Sequence, residues 1–148
     1  MKEIKKEIQK VEYKTVFVAT DGTEFPDKAE CEKYEKSAKG VLMAKYAPMV
    51  VKTISEDSLF GVGCEDDVIE IIFVKNQSVV DLLLQIFLVE NPHYMKDDWK
   101  ENLDKVTSQL NNSIGDFLVI GRGYDGDGFW FYGSRKEIIE NFSKKFDE

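Results

Sequence analysis

Near the middle of this chain, an almost continuous apolar strand pattern is followed after three residues by an apolar helix pattern. Residues 68–74 read VIEIIFV, and Glu70 is the only charged residue among them. A run of this kind is typical of a central strand that is covered on both faces. Residues 78–91 read SVVDLLLQIFLVEN and predict a helix that Asn91-Pro92 ends. We expect this strand and this helix to lie at the centre of the fold.

The apolar residues of the second pattern occupy almost every face of the predicted helix. A helix of this kind lies deep in a core, or its outer side is covered by another helix or by a second subunit. The sequence therefore leaves open a homodimer formed through residues 79–89.

The rest of the chain alternates between strand and helix patterns, and together they predict the order ββαββααββα. Asp21-Gly22 is typical of a tight hairpin turn, and Asp27 and Ser134 are predicted helix N-caps. A third capping pattern is formed by Ser78 with Asp81. The remaining predicted strands are 10–19, 23–25, 49–54, 116–120 and 129–132, and the remaining helices run from Asp27 to Pro48, through 99–110 and from Ser134 onward.

This order predicts an α+β fold, because strands joined by short turns pair as antiparallel hairpins. We expect a mostly antiparallel sheet of about five to six strands with about four helices. The length of 148 residues is that of one domain, so residues 1–148 are interpreted as a single unit in which 1–9 form a charged leader.

The charge of the chain bears on its partners. Its 28 acidic and 20 basic residues give a formal net charge of −8. Such a chain is repelled by phosphate backbones and anionic lipid at long range, so direct binding of nucleic acid is not expected. The longest apolar stretch, 79–89, is too short to span a bilayer, and we expect no membrane association.

Few side chains are suited to covalent or metal chemistry. Cys31 and Cys64 form no CxxC pair, which predicts a reducing, cytoplasmic setting and no metal knuckle. Cys31 lies on the apolar stripe of the first helix and is interpreted as a core residue, while three carboxylates after Cys64 disfavour its thiolate. His93 is the only histidine, so a two-histidine metal site within the chain is excluded. No metal and no cofactor are predicted.

An acidic cluster between Lys52 and Lys75 is the first candidate binding region. A solvated loop is one interpretation. The other is a patch that docks on a basic surface of another protein, since complementary charge speeds encounter and sets specificity. Its members are Glu56, Asp57, Glu65, Asp66, Asp67 and Glu70.

A second candidate region is the predicted hairpin 121–135, GRGYDGDGFWFYGSR, which contains both arginines of the chain. Arginine forks bind phosphate, and aromatic faces stack on nucleobases, so this hairpin is a candidate nucleotide site. The alternative is an Asp-Gly turn with core aromatics and solvated arginines. The candidate ligand residues are Arg122, Tyr124, Asp125, Trp130, Tyr132 and Arg135.

Residues 13–35, YKTVFVATDGTEFPDKAECEKYE, contain Asp21-Gly22, Phe25, Glu30-Cys31 and Tyr34-Glu35. With these features the segment resembles the opening of many small acidic phage-encoded accessory proteins of unknown function. The resemblance implies a phage or mobile-element origin, in which such proteins often bind and block host machinery, including immune systems. It carries over no functional residue.

Three functions follow as hypotheses. The first is a non-enzymatic binding protein that inhibits or sequesters a component of host machinery or host defence in the host cytoplasm. The second is a sponge for a nucleotide signal that uses the 121–135 hairpin. The third is a carboxylate-dependent hydrolase, for which Asp125 and Asp127 are candidates.

Overall fold

The computed structural model describes residues 1–6, 11–54, 67–123 and 128–147, and within them it confirms an α+β fold with antiparallel sheets. Two short strands precede a helical pair, a four-stranded sheet and three further helices. The strands are β1 (Phe17–Val18), β2 (Glu24–Phe25), β3 (Val50–Ile54), β4 (Asp67–Phe73), β5 (Phe117–Gly123) and β6 (Phe129–Ser134); the α-helices are α1 (Lys28–Lys36), α2 (Ala38–Tyr46), α3 (Gln77–Glu90), α4 (Lys100–Asn112) and α5 (Arg135–Lys144).

The larger sheet has the strand order β3-β4-β5-β6, and every neighbouring pair is antiparallel. Glu70 of β4 pairs with Thr53 of β3 and with Ile120 of β5, so β4 is a central strand as its sequence predicts. A bulge interrupts β3 between Val50 and Lys52, and another interrupts the β5–β6 pairing after Val119. Bulges at edge strands re-aim side chains and limit further pairing.

One face of this sheet packs against α2, α3 and α4 to form the core. Side chains alternate between the two faces of each strand. In β6, Phe129 and Phe131 face the helices, and Trp130 between them faces the other side of the sheet. The fully buried side chains of this core include Met43, Tyr46, Ile72, Leu83, Ile86, Leu110, Leu118 and Ile120.

Helix α3 lies in the middle of this core. Its residues Leu83 and Ile86 are almost completely buried, and it contacts α2, α4 and β6. Asn76 caps the helix by accepting from the amide of Val79, so the prediction of Ser78 as the cap is wrong by two residues. The chain itself covers most of the apolar residues of α3, but Val89 is 42% exposed. A dimer through residues 79–89 stays a prediction.

The prediction of one helix from Asp27 to Pro48 is also wrong, because the structure breaks it at Ser37. The Ser37 backbone is extended, and its hydroxyl accepts from the amide of Gly40, so one residue ends α1 and caps α2. A Cβ at Gly40 would lie 2.0 Å from the carbonyl oxygen of Tyr34. The close turn between the two helices therefore requires glycine at this position.

The N-terminal hairpin is much shorter than predicted. Its turn forms at Asp21-Gly22, where Gly22 has a φ of 90°, but only Phe17 and Val18 pair with β2. Continuing the register would place Pro26 opposite Val16, and proline has no amide hydrogen to donate. The next position, Asp27, already caps α1 by accepting from the amide of Ala29. Of the predicted strand 10–19, the described residues 11–19 therefore form a strand only at Phe17 and Val18, and Lys10 lies outside the described residues.

Among the residues that the structure describes, none of the helices has the length and apolarity needed to cross a bilayer.

Candidate functional site

Both composition-biased segments of the sequence leave the sheet at the same end. β3 ends at Ile54, which pairs with Ile69 shortly after β4 begins, and β5 ends beside them where Gly123 pairs with Asp67. β6 starts there as well, since Phe129 pairs with Arg122. We call this side of the sheet the loop end. The acidic segment between β3 and β4 and the glycine-rich turn between β5 and β6 both begin and finish at the loop end.

A buried polar network lies on the core face of the sheet close to the loop end. The Tyr46 hydroxyl donates to Glu70 Oε1 at 3.0 Å, and Arg122 Nη1 lies 3.4 Å from the same oxygen. Glu70 is only 8% exposed. A carboxylate in this position needs partners to offset its desolvation, and here a phenol and a guanidinium supply them.

The surroundings of Tyr46 keep its phenol protonated. Burial raises the pKa of Tyr46 above its ordinary value, and the negative charge of Glu70 raises it further. The phenol therefore acts as a hydrogen-bond donor to Glu70 and not as a proton acceptor. The network fixes α2 to β4 and β5, which are the strands that carry the two segments of the loop end.

A second tyrosine links the N-terminal hairpin to α1. The Tyr34 hydroxyl donates to Asp21 Oδ2 at 2.5 Å, and Phe25 packs beside the Tyr34 ring. Burial and then the hydrogen bond to Asp21 raise the pKa of Tyr34, while the nearby charge of Arg122 lowers it. The Tyr34 side chain therefore joins α1 to the hairpin turn and to β2.

A third contact joins the helices to the start of β6. The Lys39 ammonium lies 2.5 Å from Glu90 Oε1, and Glu90 Oε2 accepts from the amide of Gly128 at 3.1 Å. Asn91 donates to the carbonyl of Phe129 at 3.3 Å. The end of α3 therefore holds the entry to β6 in place at the loop end.

The predicted acidic patch is divided by the structure. Glu70 points into the core and is paired, so it does not belong to an exposed docking surface. Asp67 is the first residue of β4, at the loop end. The other four acids, Glu56, Asp57, Glu65 and Asp66, lie outside the described residues.

The four predicted nucleotide residues that the structure describes do not converge on one site. Arg122 faces the core, whereas the Trp130 indole lies over Gly121 on the opposite face, where it would contact any Cβ at Gly121. The rings of Trp130 and Tyr132 are 6.1 Å apart, which places Tyr132 on that opposite face too. Tyr124 and Asp125 lie outside the described residues.

Arg135 is on the same outer face as Trp130 but near the other end of β5. Its guanidinium lies 5.2 Å from the centre of the Phe117 ring, and its Nε lies 3.3 Å from Asp116 Oδ1. Four residues separate Phe117 from Gly121, which is about 13 Å along a strand. Arg135 is therefore already paired and stacked, at a distance from Trp130.

Cys31 and His93 are the cysteine and the histidine that the structure describes, and both pack against neighbouring side chains. Cys31 is buried in α1, and burial, followed by the charges of Glu35, Glu32 and Asp21, raises the pKa of its thiol. A raised pKa reduces the thiolate fraction and hence the nucleophilicity of Cys31. His93 is exposed, and its ring packs against Tyr94 and Trp99. Cys64 lies outside the described residues.

A wide polar cleft of about 770 Å³ separates α4 from α5. Carboxylates and lysines alternate along it, including Glu101, Asp104, Lys105, Lys136 and Glu140. In the described ranges, no three His, Cys, Asp or Glu side chains come together in a way that would hold a metal ion. The cleft is therefore a mixed-charge surface in its described part.

The tyrosine, lysine and glutamate side chains that make these contacts are not among the site residues predicted from the sequence. They are Tyr34 near the hairpin turn, Tyr46 in the buried network, and Lys39 with Glu90 at the start of β6. Glu70 carried a usable signal, because it is the only charge in a strand pattern that is otherwise fully apolar. A buried carboxylate requires a cation or hydroxyl partner. The sequence does not specify which of the many tyrosines and lysines supplies it.

Comparison with protein-family models, with curated proteins and with solved structures finds no match to this chain.

Proposed function

We propose that this protein is a non-enzymatic binding protein that inhibits or sequesters a component of host machinery or host defence through protein–protein contact. The proposal includes a phage or mobile-element origin, supported by the resemblance of residues 13–35, and action in the host cytoplasm. The contact function rests on one observation: the acidic segment and the glycine-rich segment both begin and end at the loop end of one sheet. Binding residues are commonly placed on loops that a rigid scaffold positions.

Charge indicates the kind of partner. Glu70 is turned into the core. The sequence still places five other acids between Ile54 and Val68, and Asp125 and Asp127 between β5 and β6. The arginine nearest to them, Arg122, is paired with Glu70. The loop end therefore concentrates negative charge, which favours a basic surface on the partner.

The buried network of Tyr46, Glu70 and Arg122 is consistent with a role in protein–protein contact. Glu70, Arg122 and Tyr46 are used to hold α2 against the sheet, and the Cys31 thiol is buried. These side chains stabilise the scaffold beneath the loop end. In this proposal, the segments between β3 and β4 and between β5 and β6 recognise the partner.

A charge-reversal experiment tests the proposal. The triple variant E65K/D66K/D67K reverses the acids next to β4, and D81K/D104K/E140K makes the same change in net charge at exposed positions on three helices. Tagged protein is used to capture its partner from host cells at low salt. We expect the wild type and the helix variant to retain one partner and the loop-end variant to lose it. Equal retention by both variants contradicts a role for the acidic segment.

Nucleotide binding by the 121–135 hairpin has less support. Arg122 and Trp130 lie on opposite faces of the sheet, and Arg135 is occupied by Asp116 and Phe117. A thermal-shift screen with cyclic and linear nucleotides addresses it, because a ligand at 100 times its Kd adds about 2.7 kcal/mol. We expect no shift, and a saturable shift would restore the nucleotide hypothesis.

A further inference from the structure

The segment before β1 has the pattern of a strand but lacks a strand to pair with in the described part of the chain. Val11, Tyr13 and Thr15 alternate with Glu12 and Lys14, and the segment leads directly into β1. Residues 11–16 are all exposed, and Tyr13 is 94% exposed. β-Branched and aromatic side chains of this kind are ordinarily covered by neighbouring strands.

The fold prevents this segment from pairing with β2. Phe17 pairs with Phe25, and the next residue of the return strand is Pro26, which cannot donate a hydrogen bond. The chain then turns into α1 at Asp27. The exposed edge of residues 11–15 is thus a site for the addition of a strand from another molecule.

We propose that residues 11–15 pair with the same residues of a second copy of this chain, as antiparallel strands related by a two-fold axis at Tyr13. The charges select this occupant and this register. In it, Glu12 of each copy lies opposite Lys14 of the other, and the two Tyr13 rings lie side by side across the axis.

Neighbouring registers are disfavoured by the same residues. An axis at Glu12 places two glutamates opposite each other, and an axis at Lys14 places two lysines opposite each other. Like charges directly across a strand pair are destabilising. The register at Tyr13 is the one that makes both charge pairs favourable and places Val11 opposite Thr15 on the same face as Tyr13.

This inference does not depend on the proposed function, because it concerns a surface other than the loop end. It also concerns a different surface from the predicted dimer through residues 79–89.

Light scattering on the full chain over about 5 to about 500 μM tests the self-association, a range suited to the modest affinity of a short strand pair. The mass of the wild type is expected to rise with concentration from 17.0 kDa towards twice that value. E12K and K14E each turn two unlike pairs into like pairs, and we expect each to weaken self-association about tenfold or more. E140K, an exposed change on α5, is the matched control and should behave as the wild type.

Complementation makes the test specific to the register. In a mixture of E12K with K14E, unlike charges again face each other, so the mixture should associate although neither variant does so alone. The double variant E12K/K14E should also recover. Because E12K makes the net charge of −8 less negative, general repulsion would change in the opposite direction. A wild type that stays at 17.0 kDa throughout, an E12K variant that associates as the wild type does, or a mixture without recovery overturns the proposal.

Discussion

Strand β4 and the segment that leads into β1 both have sequence patterns that predict a strand. Their environments in the structure are opposite. In β4, the residues Ile69 and Ile72 are buried and paired on both sides. In the N-terminal segment, Val11 and Tyr13 are exposed, and the pairing is limited to Phe17 and Val18. The comparison shows that a strand pattern indicates only that a segment can pair. In the N-terminal hairpin, Pro26 and Asp27 after the turn determine how many residues of the segment find a partner.

The largest expected effect contrasts a core residue with an exposed one. Leu83→Ala should lower the free energy of unfolding by about 3 kcal/mol or more, because Leu83 is completely buried at the centre of α3. Tyr13→Ala should change it by no more than about 0.5 kcal/mol. Urea unfolding at low protein concentration measures both. Comparable losses in the two variants would show that residues 11–16 pack against the folded chain.

The next effect concerns the buried network. Arg122→Met should cost about 3 kcal/mol, because it leaves Glu70 without its cation. The triple variant Y46F/E70L/R122M removes all three polar groups and should recover most of that loss. Urea unfolding of the two variants compares them. If the triple variant is as unstable as Arg122→Met, desolvation of Glu70 is not the source of the cost.

A smaller effect appears at alkaline pH. The pKa of Tyr46 is raised in the folded chain, so above the ordinary tyrosine value of about 10 the unfolded chain loses a proton that the folded chain keeps. Stability should fall as pH rises above about 10, and Tyr46 should contribute about 1.4 kcal/mol per pH unit to the slope. Tyr46→Phe should flatten the slope relative to the wild type. An unchanged slope in Tyr46→Phe would contradict the assignment.

The smallest effect is at the hairpin turn. Gly22 has a φ of 90°, and open space surrounds the position of a Cβ. Gly22→Ala should therefore cost about 1 kcal/mol from backbone strain alone, and Gly22→Asn should cost less. Thermal unfolding compares them. A loss well above this size would mean that the hairpin contributes more to the core than its two paired residues indicate.

The central elements were predictable because their signals are long and local. The apolar runs of β4 and α3, the Asp21-Gly22 turn and the caps at Asp27 and Ser134 all appear where the sequence places them. The break at Ser37 was missed because it depends on the close approach of Gly40 to Tyr34, a contact between two helices. The N-terminal strand was predicted to be too long because the pattern of residues 10–19 does not reveal that most of the described ones lack a partner strand.

The candidate site was predictable only in part. The sequence identifies the acidic segment and the 121–135 hairpin but not their common position, which follows from the strand order β3-β4-β5-β6. From the sequence, Glu70 was predicted to belong to the acidic patch and Arg122 to the nucleotide site. In the structure, the two side chains are paired in the core. Which partner a buried charge takes is decided by packing between elements distant in sequence.

Hydrogen exchange resolved by residue, at about 5 μM and at about 500 μM, compares the two regions most directly. We predict that amides of α3 and β4 are protected to the level of global unfolding at both concentrations. The amides of residues 11–15 should exchange without protection at the low concentration. At the high concentration, the alternate amides that donate across the strand pair should become protected. Protection of residues 11–15 that is equal at both concentrations, or absent from both, would contradict the account.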